Sequence, residues 1–170
     1  MCSSTVNAES AMPSASNTSV VITPEQLLED WQGHRRLTRR VIEAFPEESL
    51  FAYSVGGMRS FAALAMEVIK MAVPILRGEI TGEWKSDDTP DATTKAGLLE
   101  LWDSVTAEID RMWADIPPHR FQEVDTAFGQ WKMAGYAMFL YAIDNEIHHR
   151  GQGYVYLRSL GIEPPPFYER

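Results

Sequence analysis

Apolar residues recur at steps of three and four along four stretches of this chain. That spacing places them on one face of an α-helix, and it narrows the fold more than anything else in the sequence. The first stretch opens at Thr23-Pro24-Glu25-Gln26, a capping residue followed by proline at the first helical position and by glutamine three residues after the cap. Leu27, Trp31, His34, Leu37, Val41 and Phe45 then mark one face, and Phe45-Pro46 ends the run. Ser60 can cap a second helix, "FAALAMEVIKMAVPILRG", with Gly78 at its end and Pro74 bending it near the last turn. Thr93 or Thr94 can cap a third, which carries Leu98, Leu101, Trp102, Val105, Ile109 and Trp113 and is closed by Pro117-Pro118. The segment from His119 to Met133 reads as a loop with a brief extended piece at Phe121 to Val124. The longest periodic run follows, over about residues 130–160, and ends at Gly161.

Four such helices without a convincing strand predict an all-α four-helix bundle, and the long connection between helices two and three permits a topology other than simple up-down-up-down. A length of 170 residues with 45% hydrophobic side chains suits one domain with a sizeable core. Residues 1–22, rich in Ser, Ala and Asn, read as a disordered leader, and 23–170 as the folded domain. Against 15 basic residues stand 24 acidic ones, a formal charge of -9 that disfavours nucleic acid. The one basic cluster, His34-Arg35-Arg36 with Arg39-Arg40, reads as a solvated helix face. The lone Cys2 forms no internal disulfide, and no apolar run approaches the length of a membrane span. The expectation is therefore a cytoplasmic chain with no membrane partner.

The chemistry concentrates in "NEIHHRGQ", residues 145–152. At 3.6 residues per turn Met138, Ala142, Asn145, His149, Gln152 and Tyr156 share one stripe, while Asp144, His148 and Gly151 fall on a neighbouring one. Adjacent His148 and His149 therefore point apart, whereas 145 and 149 stack one turn above the other. A third group from another helix would complete a metal site, and Glu67 is the second helix's odd residue, an acid in an apolar run. Spacing alone favours a plainer alternative. Glu67, Asn145 and His149 would satisfy one another as a buried hydrogen-bond network, with Arg150 or Lys70 compensating the charge; Glu67 at the surface is a third possibility.

The closing segment "HHRGQGYVYLRSLGIEPPPFYE" resembles that of the DinB-like (DinB/YfiT) family, whose last helix reads His-x-x-His-His-Arg-Gly-Gln and ends in Leu-Arg-x-x-Gly before prolines. The likeness extends more loosely over residues 24 to 168, through "FPEESLFAYSVGGMRSFAALAMEV". It implies a four-helix bundle with a long crossover, often a homodimer, and a divalent metal held by three histidines. Relatives include metal-dependent thiol transferases and a thiol-dependent isomerase. By this resemblance His149 matches the second clasp histidine, Asn145 stands where the first would be, and Glu67 aligns with the second-helix histidine. His148, Arg150 and Gln152 take supporting places, His148 in helix packing. With one carboxylate, one amide and one imidazole, the expected ion shifts toward iron or manganese, or magnesium or calcium, with zinc or nickel still competing, and the site can also be empty.

Two functions follow as expectations. One is a metal-dependent enzyme that performs thiol transfer or hydrolysis on a small substrate, with Asp144 or Glu146 moving a proton. The other is a noncatalytic dimeric bundle that has lost its metal and serves as a binding module.

Overall fold

In a computed structural model, residues 20–170 are described. The expected leader lies outside them except for its last three residues, and so does Cys2. Among these residues there are five α-helices: α1 (Pro24–Ala44), α2 (Glu47–Ala52), α3 (Phe61–Thr81), α4 (Lys95–Trp113) and α5 (Gly135–Ser159). Four of them form the bundle. α1 packs on α4 and α5, and α3 packs on the same two, so the helices that come first in the chain lie diagonally. Residues 45–60, with the short α2, span that diagonal, and the long connection 82–94 joins the neighbouring helices α3 and α4.

The caps act where the sequence places them. Thr23 Oγ1 accepts the Gln26 N–H at 3.2 Å while Gln26 Oε1 accepts the Thr23 N–H at 2.9 Å. Ser60 and Thr94 start α3 and α4, each accepting one orphan N–H, a bond worth about 1 kcal/mol.

Three local expectations are corrected. α3 does not stop at Gly78 but runs on to a left-handed Gly82 with φ of 75°. Gly78 instead receives the Trp84 ring, since a Cβ there would stand 2.2 Å from Trp84 Cε3. The last helix starts at Gly135 rather than near 130. Residues Trp131–Ala134 are a strand paired antiparallel with Val124–Ala127, and the stretch before that pair is a 3-10 turn, Pro118–Phe121. Only glycine can open α5 here, because a Cβ would meet the Arg120 carbonyl oxygen at 2.3 Å. The short α2 also lies within a stretch that showed no helical period.

Two apolar cores fill the bundle. One gathers Trp31, Ile75, Trp113, Phe121, Met138 and Phe139; the other gathers Ile42, Phe45, Phe61, Trp102, Tyr156 and Leu157. Along α1 and α5 the cores are separated by a buried polar layer. Arg35 and Glu146 are fully buried and His34, Thr38 and Arg150 nearly so, which overturns the solvated-face reading for His34 and Arg35. Arg35 stacks on Trp102 at 3.4 Å, and its Nη2 donates to the Trp102 carbonyl at 3.0 Å. Arg39 pairs with Asp103 and Glu43, and Arg40 with Glu169, so the cluster forms no free basic patch.

A clamp ties the hairpin to α3. Arg120 donates to the carbonyls of Gly78 and Glu79 and to Asp125, while the buried Glu79 carboxyl stands 3.6 Å from Arg120 Nε. Burial pushes Glu79 up to about 7 from 4.5; Arg120 pulls it back only in part. The folded chain therefore holds a proton that the unfolded chain releases above pH 4.5. The associated stability is full below 4.5 and is lost as pH rises through 7, a span of about 3 kcal/mol. Thermal melts at pH 5 and pH 8 should show wild type losing several degrees that Glu79→Gln keeps. Equal losses would contradict this reading of Glu79.

Candidate functional site

Glu67 reaches from the middle of α3 toward α5, where the 3.6-residue period lines up Asn145, His149 and Gln152. His149 Nε2 lies 3.0 Å from Glu67 Oε1, and Asn145 Nδ2 lies 3.2 Å from the same oxygen and 3.5 Å from His149 Nε2. The three side chains thus form one triangle. Burial would raise the Glu67 carboxyl, but hydrogen bonds from His149, Arg59 and Asn145 outweigh it and hold the group at about 2. It is a carboxylate throughout the physiological range.

Gln152 holds the His149 ring in place. Its Oε1 is 2.8 Å from His149 Nδ1 while its Nε2 donates to Met58 Sδ at 3.7 Å, which orients the imidazole with Nε2 toward Glu67. The 3.0 Å between Nε2 and the Glu67 oxygen is bridged either by a hydrogen on Nε2, donated to the carboxylate, or by a metal ion held by the Nε2 lone pair and the carboxylate together. Asn145 Oδ1 is buried without a partner.

The other expected residues separate. His148 is exposed, its ring against His149 rather than in helix packing. Arg150 turns away into the buried layer, where it contacts Thr38 at 3.0 Å and His34 at 2.9 Å, and Lys70 pairs with Asp91. Neither compensates Glu67. Glu146 is buried beside Arg35 and Thr38, and Asp144 is exposed, so neither joins the triangle. The compensating cation is Arg59, whose Nη1 sits 2.6 Å from Glu67 Oε2. The sequence signal for Arg59 is slight: it precedes the Ser60 cap and belongs to no helical stripe.

The triangle's carboxylate lines a groove of about 670 Å³, with Arg59, Lys70 and Asp91 along its walls. Tetrahedral bonds of 2.0–2.2 Å place donor atoms about 3.3–3.6 Å apart. The measured 3.0, 3.2 and 3.5 Å come close to that spacing. Turning the Asn145 amide over would bring its partnerless oxygen to the triangle. The residues therefore fit a divalent cation in number and spacing. No cluster of three His, Cys, Asp or Glu side chains suited to a metal stands among the described residues, since the third donor is an amide. That donor and the guanidinium on Glu67 set a lower affinity than three imidazoles would give.

The sequence model of the DinB family matches residues 12–170. This chain belongs to the DinB family. Among curated relatives, protein YjoA of Bacillus subtilis (strain 168), described as uncharacterized, is 41% identical over 51 residues, 29% of this chain and 32% of that protein. The matched stretch spans about a third of that relative. YrdA of the same strain, likewise uncharacterized, is 22% identical over 152 residues, 86% of this chain and 88% of that protein. Two solved structures share the fold. A DinB-like protein of Bacillus cereus ATCC 10987 superposes with a TM-score of 0.68 at 22% identity, covering 85% of this chain and 97% of that one. The DinB-like YjoA of Bacillus subtilis gives 0.67 at 19% identity, over 85% and 99%. No helix among the described residues is long and apolar enough to cross a membrane.

Proposed function

We propose that this DinB-family chain is a metal-dependent enzyme that acts on a small substrate by thiol transfer or hydrolysis, with Glu67, Asn145 and His149 as donors to one divalent cation (zinc, nickel, iron or manganese). The observation that carries the reading is the 3.0 Å approach of Glu67 Oε1 to His149 Nε2, on a ring whose other nitrogen is held by Gln152. When bound, such a cation supplies Lewis-acid chemistry, polarising a substrate or lowering the pKa of a water or thiol. The chain's own residues do the rest. Glu67 supplies permanent negative charge, Gln152 fixes the imidazole, and the groove brings the substrate to Glu67. Metal analysis of protein purified without chelator or affinity-column metal tests the site. Wild type should carry metal that Glu67→Ala and His149→Ala lose, and Asn145→His should raise zinc or nickel affinity at least tenfold. Equal content in all would remove the proposal.

A second reading has its own observation. The 2.6 Å ion pair from Arg59 to Glu67 already supplies a cation, as a metal-free binding module would need. In that reading a proton occupies the space between Glu67 and His149.

The proposed assembly is a homodimer in the cytoplasm. α5 packs Phe139 and Ile143 into the core, yet its outer side exposes Tyr136, Leu140, Tyr141, Ile147 and Val155. A helix apolar on both sides is suited to burial on both. Sedimentation should give a dimer for wild type and a monomer for Leu140→Lys combined with Ile147→Lys. A monomeric wild type would rule the dimer out.

A further inference from the structure

The polar groove does not end at Glu67. Along α3 it continues into a second, apolar chamber of about 190 Å³, and the two spaces share Lys70, Met71 and Ser86 in their walls. Met71 and Ile75 of α3 and Met138 and Tyr141 of α5 form one side, and Phe128 and Trp131 of the hairpin close the other. The hairpin holds an unusual conformation to do so. Phe128 has φ of 52° and is followed by Gly129 at 69°, so a bulky aromatic stands in the left-handed region that glycine normally occupies. Its ring is fixed at 5.4 Å from Trp84 and 6.0 Å from Trp131. Trp131 remains 48% exposed, an aromatic face with room beside it.

From this continuity we infer that the substrate of the site is amphipathic, with a polar head at Glu67 and Arg59 and an apolar arm of about the size of one phenyl ring or a six-carbon chain in the chamber. A cavity of about 150 Å³ lined by apolar side chains takes up benzene, so this chamber holds an arm of that size and no more. The head position rests on the site proposed above; the arm position rests only on the chamber. A free small molecule is the committed occupant, because the chamber opens through the groove that carries the polar cluster.

Straight-chain carboxylates test this, since a carboxylate binds both a divalent cation and a guanidinium. Butanoate, hexanoate and octanoate are titrated against the full chain saturated with zinc, followed by tryptophan emission, to which Trp84 and Trp131 contribute, and by calorimetry. Each buried methylene is worth roughly fourfold in affinity. Affinity should therefore rise about sixteenfold from butanoate to hexanoate and flatten at octanoate as the chamber fills. Ser86→Trp, in an exposed loop, should abolish the length dependence, and Met71→Phe should move the plateau to a shorter chain. Glu67→Gln should weaken every member of the series by a similar factor and keep the length dependence, which separates failure of the metal site from failure of the chamber. Equal affinity for all three acids would overturn the inference. So would a length dependence unchanged in both chamber variants, or octanoate binding that tracks dissociation of a dimer.

Discussion

Glu146→Ala should cost about 3–5 kcal/mol of stability, read as a fall of about 6–20 degrees in Tm, the largest effect expected of any single polar substitution in this chain. The Glu146 side chain is fully buried, accepts from Thr38 at 2.6 Å, and lies 3.9 Å from Arg35 and 3.7 Å from Arg150. Burial pushes its carboxyl up, while Arg35 and Arg150 pull it down. Removing it leaves two buried guanidinium groups without their shared anion. Arg35 Nη1, which has no hydrogen-bond partner, would then face only a cavity. Glu146→Gln keeps the shape and the Thr38 contact, and it should lose roughly half as much. Chemical denaturation at constant m-value measures both, and a loss below about 1 kcal/mol for Glu146→Ala would show that the layer contributes little.

Arg59→Met should raise the affinity for manganese or zinc by about tenfold. Arg59 occupies Glu67 Oε2 at 2.6 Å, and any cation placed on Oε1 must either displace it or tolerate its charge. The Arg59 side chain is 53% exposed, so solvent screens that repulsion and the gain stays near one decade. The substitution also separates the two functional readings. In a metal-free module Arg59 is the intended counter-ion of Glu67, and its loss leaves metal affinity unchanged while weakening any acidic ligand. Calorimetric titration of wild type and variant distinguishes the two.

The helical frame was legible because its signals are local. Thr23, Ser60 and Thr94 cap where capping chemistry requires, and the period of α5 places Asn145, His149 and Gln152 on one stripe before any fold is known. Glu67 was legible for a different reason: an acid amid "FAALAMEVIK" must find a partner, and the facing helix provides it. Arg59 was not legible, because a residue just outside a helix start has no period to fix its direction. Arg35 and Glu146 were misleading in another way. An amphipathic reading assigns charged residues to solvent, but these two bury each other's charge, a pairing that depends on tertiary contact between α1 and α5. The hairpin escaped because its strands are four residues long and its turn uses Phe128 at positive φ, where sequence rules expect glycine or asparagine.

The sharpest test of the metal site is anomalous diffraction from crystals of the full chain soaked in manganese or zinc. The proposal predicts one peak about 2.0–2.3 Å from both Glu67 Oε1 and His149 Nε2, with the Asn145 amide turned to present its oxygen. An absent peak at saturating metal, with Arg59 still seated on Glu67 and His149 Nε2 still at hydrogen-bond distance from Glu67 Oε1, would contradict it.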